Sequence, residues 1–267
     1  MHKIKNPAVS GAFYPAEPGV LSKMVDEFYE SVEWQGQPPK AIIAPHAGYI
    51  YSGIVAACAY KCLADMPYIK NIVLIGPSHF LPFSGIAYSD CDIFMTPLGE
   101  ISVNEKLFTQ TTSIPATQLI NAAFTREHCL EVQLPFLQKI LNDFTIMPLL
   151  VGAADKQTVA TVLENLWGDD QTLIVISSDL SHYHDYQTAQ QMDNATSQSI
   201  ENLDADDIRD DAACGRVAIR GLLHLAKQKQ MRVQKLIQIN SGDTAGDKNR
   251  VVGYGAYHFF ANGASES

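Results

Sequence analysis

The chain has 267 residues, 46% hydrophobic and 18% charged, an ordinary balance for a globular protein with a substantial buried core. Nineteen basic residues against 29 acidic ones give a net charge of −10, and the basic ones are scattered singly, which argues against a nucleic-acid partner. No run reaches the roughly 18 apolar residues of a membrane helix, and MHKIKNPAVSGAFYP lacks the apolar core of a signal peptide, so the chain reads as cytoplasmic with no membrane partner.

Val20 to Val32 places Leu21, Met24, Val25 and Phe28 on one side and predicts an amphipathic helix. Ala41 to Ala44 predicts a short buried strand with His46-Ala-Gly48-Tyr49 as its exit, and Ser52 is expected to cap an alanine-rich helix running to about Ala64. Asn71 to Ile75 is the next strand, leaving through Gly76-Pro77-Ser78-His79, with a further strand over Gly85 to Tyr88. Asn104 is expected to cap a helix, and Leu130 to Leu141 to be helical. There follow a strand over Ile146 to Val151, a helix over Lys156 to Trp167, a strand over Leu173 to Ile176, and helices over Tyr186 to Leu203 and Arg216 to Gln230. The acidic run Asp204 to Asp211 lacks the glycine and closing glutamate of a calcium loop and reads as a solvated helix start. Val233 to Ile239 and Val251 to Phe259 form a closing pair of strands joined by Ser241-Gly-Asp243-Thr-Ala-Gly-Asp247. Together these predict one domain over residues 1–267, a layered α/β sandwich with a central mixed β-sheet flanked by helices and a small polar tail, Asn262 to Ser267, that frays.

His46, His79 and His182 follow β-branched runs through short polar breaks, and His128 sits at a loop opening a helix. The carboxyl ends of strands form the ligand crevice of an open α/β sheet, so these imidazoles are expected to converge there as a metal or acid–base site. His46 and His79, close behind their strands, are the candidate nitrogen ligands. For the carboxylate, Asp243 is preferred, with Asp179 and Asp247 as alternatives and turn formation as the competing role for Asp243. Two histidines and a carboxylate suit Fe(II), while zinc or copper also accept imidazole. His182 is the candidate acid–base with Asp179 fixing its tautomer, and His128 is expected either to line the pocket or to cap locally. The five cysteines form no C-x-x-C pair and read as reduced; Cys58 and Cys62 share a helical face and are expected to pack. Phosphate-loop, dinucleotide and H-E-x-x-H motifs are absent, and Gly76-Pro-Ser78-His-Phe80 is not a nucleophile elbow.

SGAFYP, PHAGYIYSG, GPSHF, EHCLEVQLPFLQ, SSDLSHY, CGR, SGDTAGD and VVGYGAY, in that order from about Ala8 to Phe260, resemble the Memo-like family, which includes protein B of the AmmeMemoRadiSam system. The resemblance implies a fold like that of class III extradiol dioxygenases. It places His46 and His79 at the metal-binding positions and His182, beside Asp179, at the acid–base position. Near Thr244 some family members carry a cysteine and the dioxygenases a glutamate, so this loop departs from both, and Cys214 is expected to pack beside the site. The resemblance does not itself imply the ring-opening reaction of those dioxygenases. The converging motifs point first to an iron-dependent, dioxygenase-like oxidoreductase; family members with signalling roles suggest instead a non-catalytic adaptor for a small-molecule or peptide ligand, working with AMMECR-like and radical SAM proteins; a zinc-dependent hydrolase is the weaker third expectation.

Overall fold

The computed structural model describes residues 2–261, so the tail expected over Asn262–Ser267 lies outside the described residues. In chain order the first half comprises β1 (Ile4–Lys5), α1 (Pro18–Glu30), β2 (Ala41–Ala44), α2 (Tyr49–Tyr60), β3 (Asn71–Pro77), β4 (Ile86–Tyr88), β5 (Ile93–Thr96), β6 (Gly99–Ser102), α3 (Glu105–Thr112), β7 (Thr117–Leu119) and α4 (Asn121–Thr125). The second half comprises α5 (Leu134–Ile140), β8 (Thr145–Val151), α6 (Lys156–Asn165), β9 (Thr172–Ser177), β10 (His182–His184), α7 (Tyr186–Glu201), α8 (Arg216–Gln228), β11 (Arg232–Asn240) and β12 (Val251–Phe260).

Among the described residues, nine strands form one mixed sheet in the order β10-β12-β2-β9-β3-β8-β4-β7, with β11 also paired to β12. The centre, β2-β9-β3-β8, is parallel, and β12 runs antiparallel to both β2 and β11. Strand side chains alternate between faces, so even a wholly apolar run feeds two cores. Ile42, Ala44, Ile72 and Leu74 join the cluster under α1, α2 and α5, whereas Ala41, Ile43, Val73 and Ile75 join the one under α6 and α8. The result is the expected α/β sandwich with helices on both sides of a mixed sheet. No helix among the described residues is long and apolar enough to cross a membrane.

Several local expectations are corrected. Ser52 does not cap α2, which starts a turn earlier at Tyr49 because that ring packs on Tyr14 and Phe136; Ser52 Oγ instead donates to Ala47 O at 3.1 Å. The segment from Leu130 begins as a 3-10 turn over Glu131–Gln133, and α5 starts beside Pro135, whose missing N–H is tolerated only in a first helical turn. The acidic run is loop rather than helix start: Asp210 pairs with Arg220 at 3.0 Å across to α8. β5 and β6, with β1, form a separate three-stranded sheet that no sequence signal announced.

The parallel centre sets the position of everything that follows. β2, β3 and β9 end at Ala44, Pro77 and Ser177, on neighbouring strands and pointing the same way. The next residues of each strand therefore emerge together at one end of the sheet.

Candidate metal centre

His46 leaves β2, His79 leaves β3, and His128 enters from the loop before α5. The three rings meet with centroids 5.2 Å (His46–His79), 5.5 Å (His46–His128) and 4.7 Å (His79–His128) apart. One ring nitrogen from each lies within 4.8 Å of the others, an arrangement that can hold a metal ion.

Hydrogen bonds behind the rings decide which nitrogen is free. Ser177 Oγ donates to Cys129 O at 2.7 Å and accepts from Gln133 Nε2 at 2.8 Å. Its one proton is thus committed, so at 2.9 Å it accepts from His46 Nδ1–H, which leaves the lone pair on His46 Nε2. Gln133 is itself fixed, donating to Pro45 O and accepting from Tyr60 Oη. His79 Nδ1 donates to Glu127 Oε1 at 2.9 Å, and His128 Nδ1 lies 3.3 Å from the same oxygen. Imidazoles tied in this way through Nδ1 to a carboxylate or hydroxyl present an oriented, basic Nε2.

Burial, reinforced by the neighbouring His79, holds His46 well below the usual imidazole range, and burial with the His46 charge pushes His128 down to about 4. Both are therefore neutral, the form that ligates metal. Burial works to raise the Glu127 carboxyl, but the His79 ring, the His79 N–H and the Cys129 N–H outweigh it and hold Glu127 at about 2. The site thus carries an anion, Glu127, behind its histidines.

Asp243, the expected third ligand, lies outside this group. Its Oδ2 accepts from Asn240 N–H at 2.9 Å in a capping box, and its Oδ1 accepts from Tyr186 Oη at 2.5 Å. Turn closure, the competing role, takes Oδ2, and the Tyr186 hydroxyl takes Oδ1. Asp247 and Thr244 share that loop; Asp247 Oδ1 accepts from Asn249 N–H, and Thr244 Oγ1 donates to Tyr51 O. Asp179 is buried, and its Oδ1 accepts from the His46 backbone N–H at 2.7 Å rather than from His182. Burial pushes its carboxyl up, opposed by His182. Cys214 Sγ sits 3.2 Å from His46 Nε2 as a thiol whose pKa burial and Asp179 push up to about 12.

The histidines open into a cavity of about 790 Å³ that also touches Asp179, His182, Phe13, Tyr51 and Tyr254. His182 lies on its wall in β10. The amino-terminal segment forms another wall: Glu131 accepts from Ala8 N–H, Val9 N–H and Tyr14 Oη, and Phe13 then packs edge-on to His128 at 4.9 Å. Sequence reasoning missed Glu127 and Glu131. Both lie in EHCLEVQLPF, and their proximity to His128 was the available signal.

Comparison with known proteins gives the family and the fold. A family model described as Memo-like protein matches residues 5–258. The chain is 37% identical to a MEMO1 family protein of Methanosarcina barkeri, over 95% of this chain and 98% of that one. It is 32% identical to one from Aquifex aeolicus, over 94% and 97%. Among solved structures, the uncharacterized protein JW3007 of Escherichia coli K12 has a TM-score of 0.54 at 12% identity, covering 83% of this chain and all of that one, a likeness of fold alone.

Proposed function

The chain belongs to the Memo-like family, and from that premise we propose that it is a metal-dependent, dioxygenase-like oxidoreductase whose ion is held by Nε2 of His46, His79 and His128. The observation that carries the proposal is the convergence of three imidazole nitrogens within 4.8 Å, with two Nδ1 protons already committed elsewhere. A set of imidazole nitrogens suits ferrous iron, zinc or copper. Iron there supplies redox chemistry and open positions for a ligand, whereas zinc supplies Lewis acidity and a hydrolytic alternative.

The remaining residues have definite tasks. Glu127 and Ser177 orient the rings and fix their tautomers. Phe13, Tyr51 and Tyr254 take the apolar body of a substrate and exclude water. His182, on the cavity wall, accepts a proton from the bound substrate and returns it to product, the general acid–base role of an imidazole that faces the ligand.

The test is metal content and ferrous affinity of anaerobically purified protein, beside His46→Ala, His128→Ala and Asp243→Ala. Loss of metal in both histidine variants and its retention in Asp243→Ala is expected, followed by oxygen uptake with phenolic substrates. Full metal binding by His128→Ala refutes the three-imidazole site. No metal in any of the four proteins moves the function to a binding module, the adaptor alternative.

A further inference from the structure

The open end of the cavity carries a feature that the histidines do not explain. Tyr183 is 64% exposed and holds a left-handed backbone conformation, φ +63°, which residues bearing a Cβ seldom adopt. The cause is local. β10 pairs with β12 through His182↔Val252 and His184↔Val251, so the register shifts across Tyr183 and the extra residue is thrown outward. Arg250, immediately before β12, lies with its guanidinium carbon 5.1 Å over the Tyr183 ring. Both side chains line the cavity, and among the described residues Arg250 is in no ion pair.

The register shift accounts for the backbone; what the fold does not use is the exposed ring it throws out and the unpaired guanidinium stacked on it, and on a cavity wall these suit a ligand. The acids lining the same cavity, Asp247 and Asp179, each accept a backbone N–H, from Asn249 and His46, and neither is ion-paired with Arg250. Stacking on the ring leaves the planar fork of arginine free to bind a carboxylate through two parallel hydrogen bonds. Phe13, Val252 and Tyr254 offer apolar surface alongside. We propose that Arg250, stacked on Tyr183, is a specificity-determining residue that recognises a carboxylate on a small aromatic substrate. The proposal rests on the histidine group being the reacting end of the same cavity.

The test uses benzoate and benzamide, equal in shape and different in charge, titrated into the full chain after chelator treatment so that neither binds through metal. Benzoate is expected to bind about tenfold tighter than benzamide, the scale of one hydrogen-bonded charge contact. Arg250→Gln removes that preference, and Arg250→Lys, which keeps the charge without the fork, retains part of it. Arg250 is exposed, so both variants fold, as circular dichroism checks. Equal binding by the wild type, or a preference that survives in Arg250→Gln, overturns the inference. Metal content is measured on the same preparations before chelation. A chain that selects benzoate but binds no metal therefore refutes the metal centre alone, and a chain that binds metal without selecting benzoate refutes the Arg250 inference alone.

Discussion

Replacing Glu127 with glutamine keeps the shape of the side chain and removes its charge, and the bonds it makes determine the outcome. Oε2 accepts from His79 N–H, and Oε1 accepts from His79 Nδ1, His128 N–H and Cys129 N–H. The amide can keep an acceptor at only one of these oxygen positions. The less costly orientation turns its NH2 toward His79 N–H, leaving that part-buried donor without its acceptor and weakening the other three bonds from charged to neutral. The charge is worth ~3 kcal/mol, from a carboxyl held at about 2 against an ordinary 4.5 at about 1.4 kcal/mol per pH unit, and a chain of this size loses roughly 5–10 °C in Tm without it. Without its carboxylate the His79 ring is less basic and less well aimed, and metal affinity falls about 10- to 100-fold. Urea denaturation of metal-free protein reads the first effect, and anaerobic competition with a chelator reads the second. Affinity within twofold of wild type, whatever the stability, refutes the argument that Glu127 orients a ligand. The carboxyl is held at about 2 against an ordinary 4.5, so its contribution is complete above about 4.5 and is lost as pH falls toward 2; Glu127→Gln removes that acid dependence.

Glu131→Ala strips the partner from Ala8 N–H, Val9 N–H and Tyr14 Oη. It is expected to cost ~3 kcal/mol or more and to speed proteolysis near Phe13, and an unchanged cleavage rate there refutes the clamp. His258 is fully buried at the other end of the sheet, with Nε2 facing Ala59 O at 2.8 Å and no partner for Nδ1 among the described residues. Burial holds it at about 4 against an ordinary 6.5, so the unfolded chain takes up this proton first as pH falls. Its stability contribution is complete above about 6.5 and declines by up to ~3 kcal/mol as pH falls through about 4. His258→Leu flattens that part of the profile, which urea denaturation at pH 7 and pH 4.5 measures by difference from wild type.

What could be read in the sequence follows from how far each signal reaches. AIIA and NIVLIG are local: β-branched runs closed by proline or glycine announce a buried strand and its exit, which is why His46 and His79 could be placed. Asn104 was legible as a cap and accepts from Leu107 N–H at 2.9 Å as expected. The antiparallel pairing of β11 with β12 was legible from two strands and a polar loop. The two to four residues of β1, β5 and β6 are too few for any period to show. Asp243 was open to two readings because SGD is at once a plausible ligand loop and a turn, and the structure has it in a capping box outside the histidine group. Glu127 was invisible for another reason. A charged residue in a polar stretch reads as solvated until the fold brings two imidazoles and three backbone donors to it.

The parallel centre of the sheet also has a consequence for synthesis in the cell. His46 takes its tautomer from Ser177, 131 residues later, and β2 does not enter the sheet until β9 exists to pair with it. Loop closure over such separations is slow, and most of the chain must leave the ribosome before the histidines share a pocket. A nascent chain thus cannot capture an ion co-translationally through this group. A metal held by this group would be chosen afterwards, by exchange with what its compartment buffers, so the occupant at harvest would report the metal supply of the host as much as the preference of the three imidazoles.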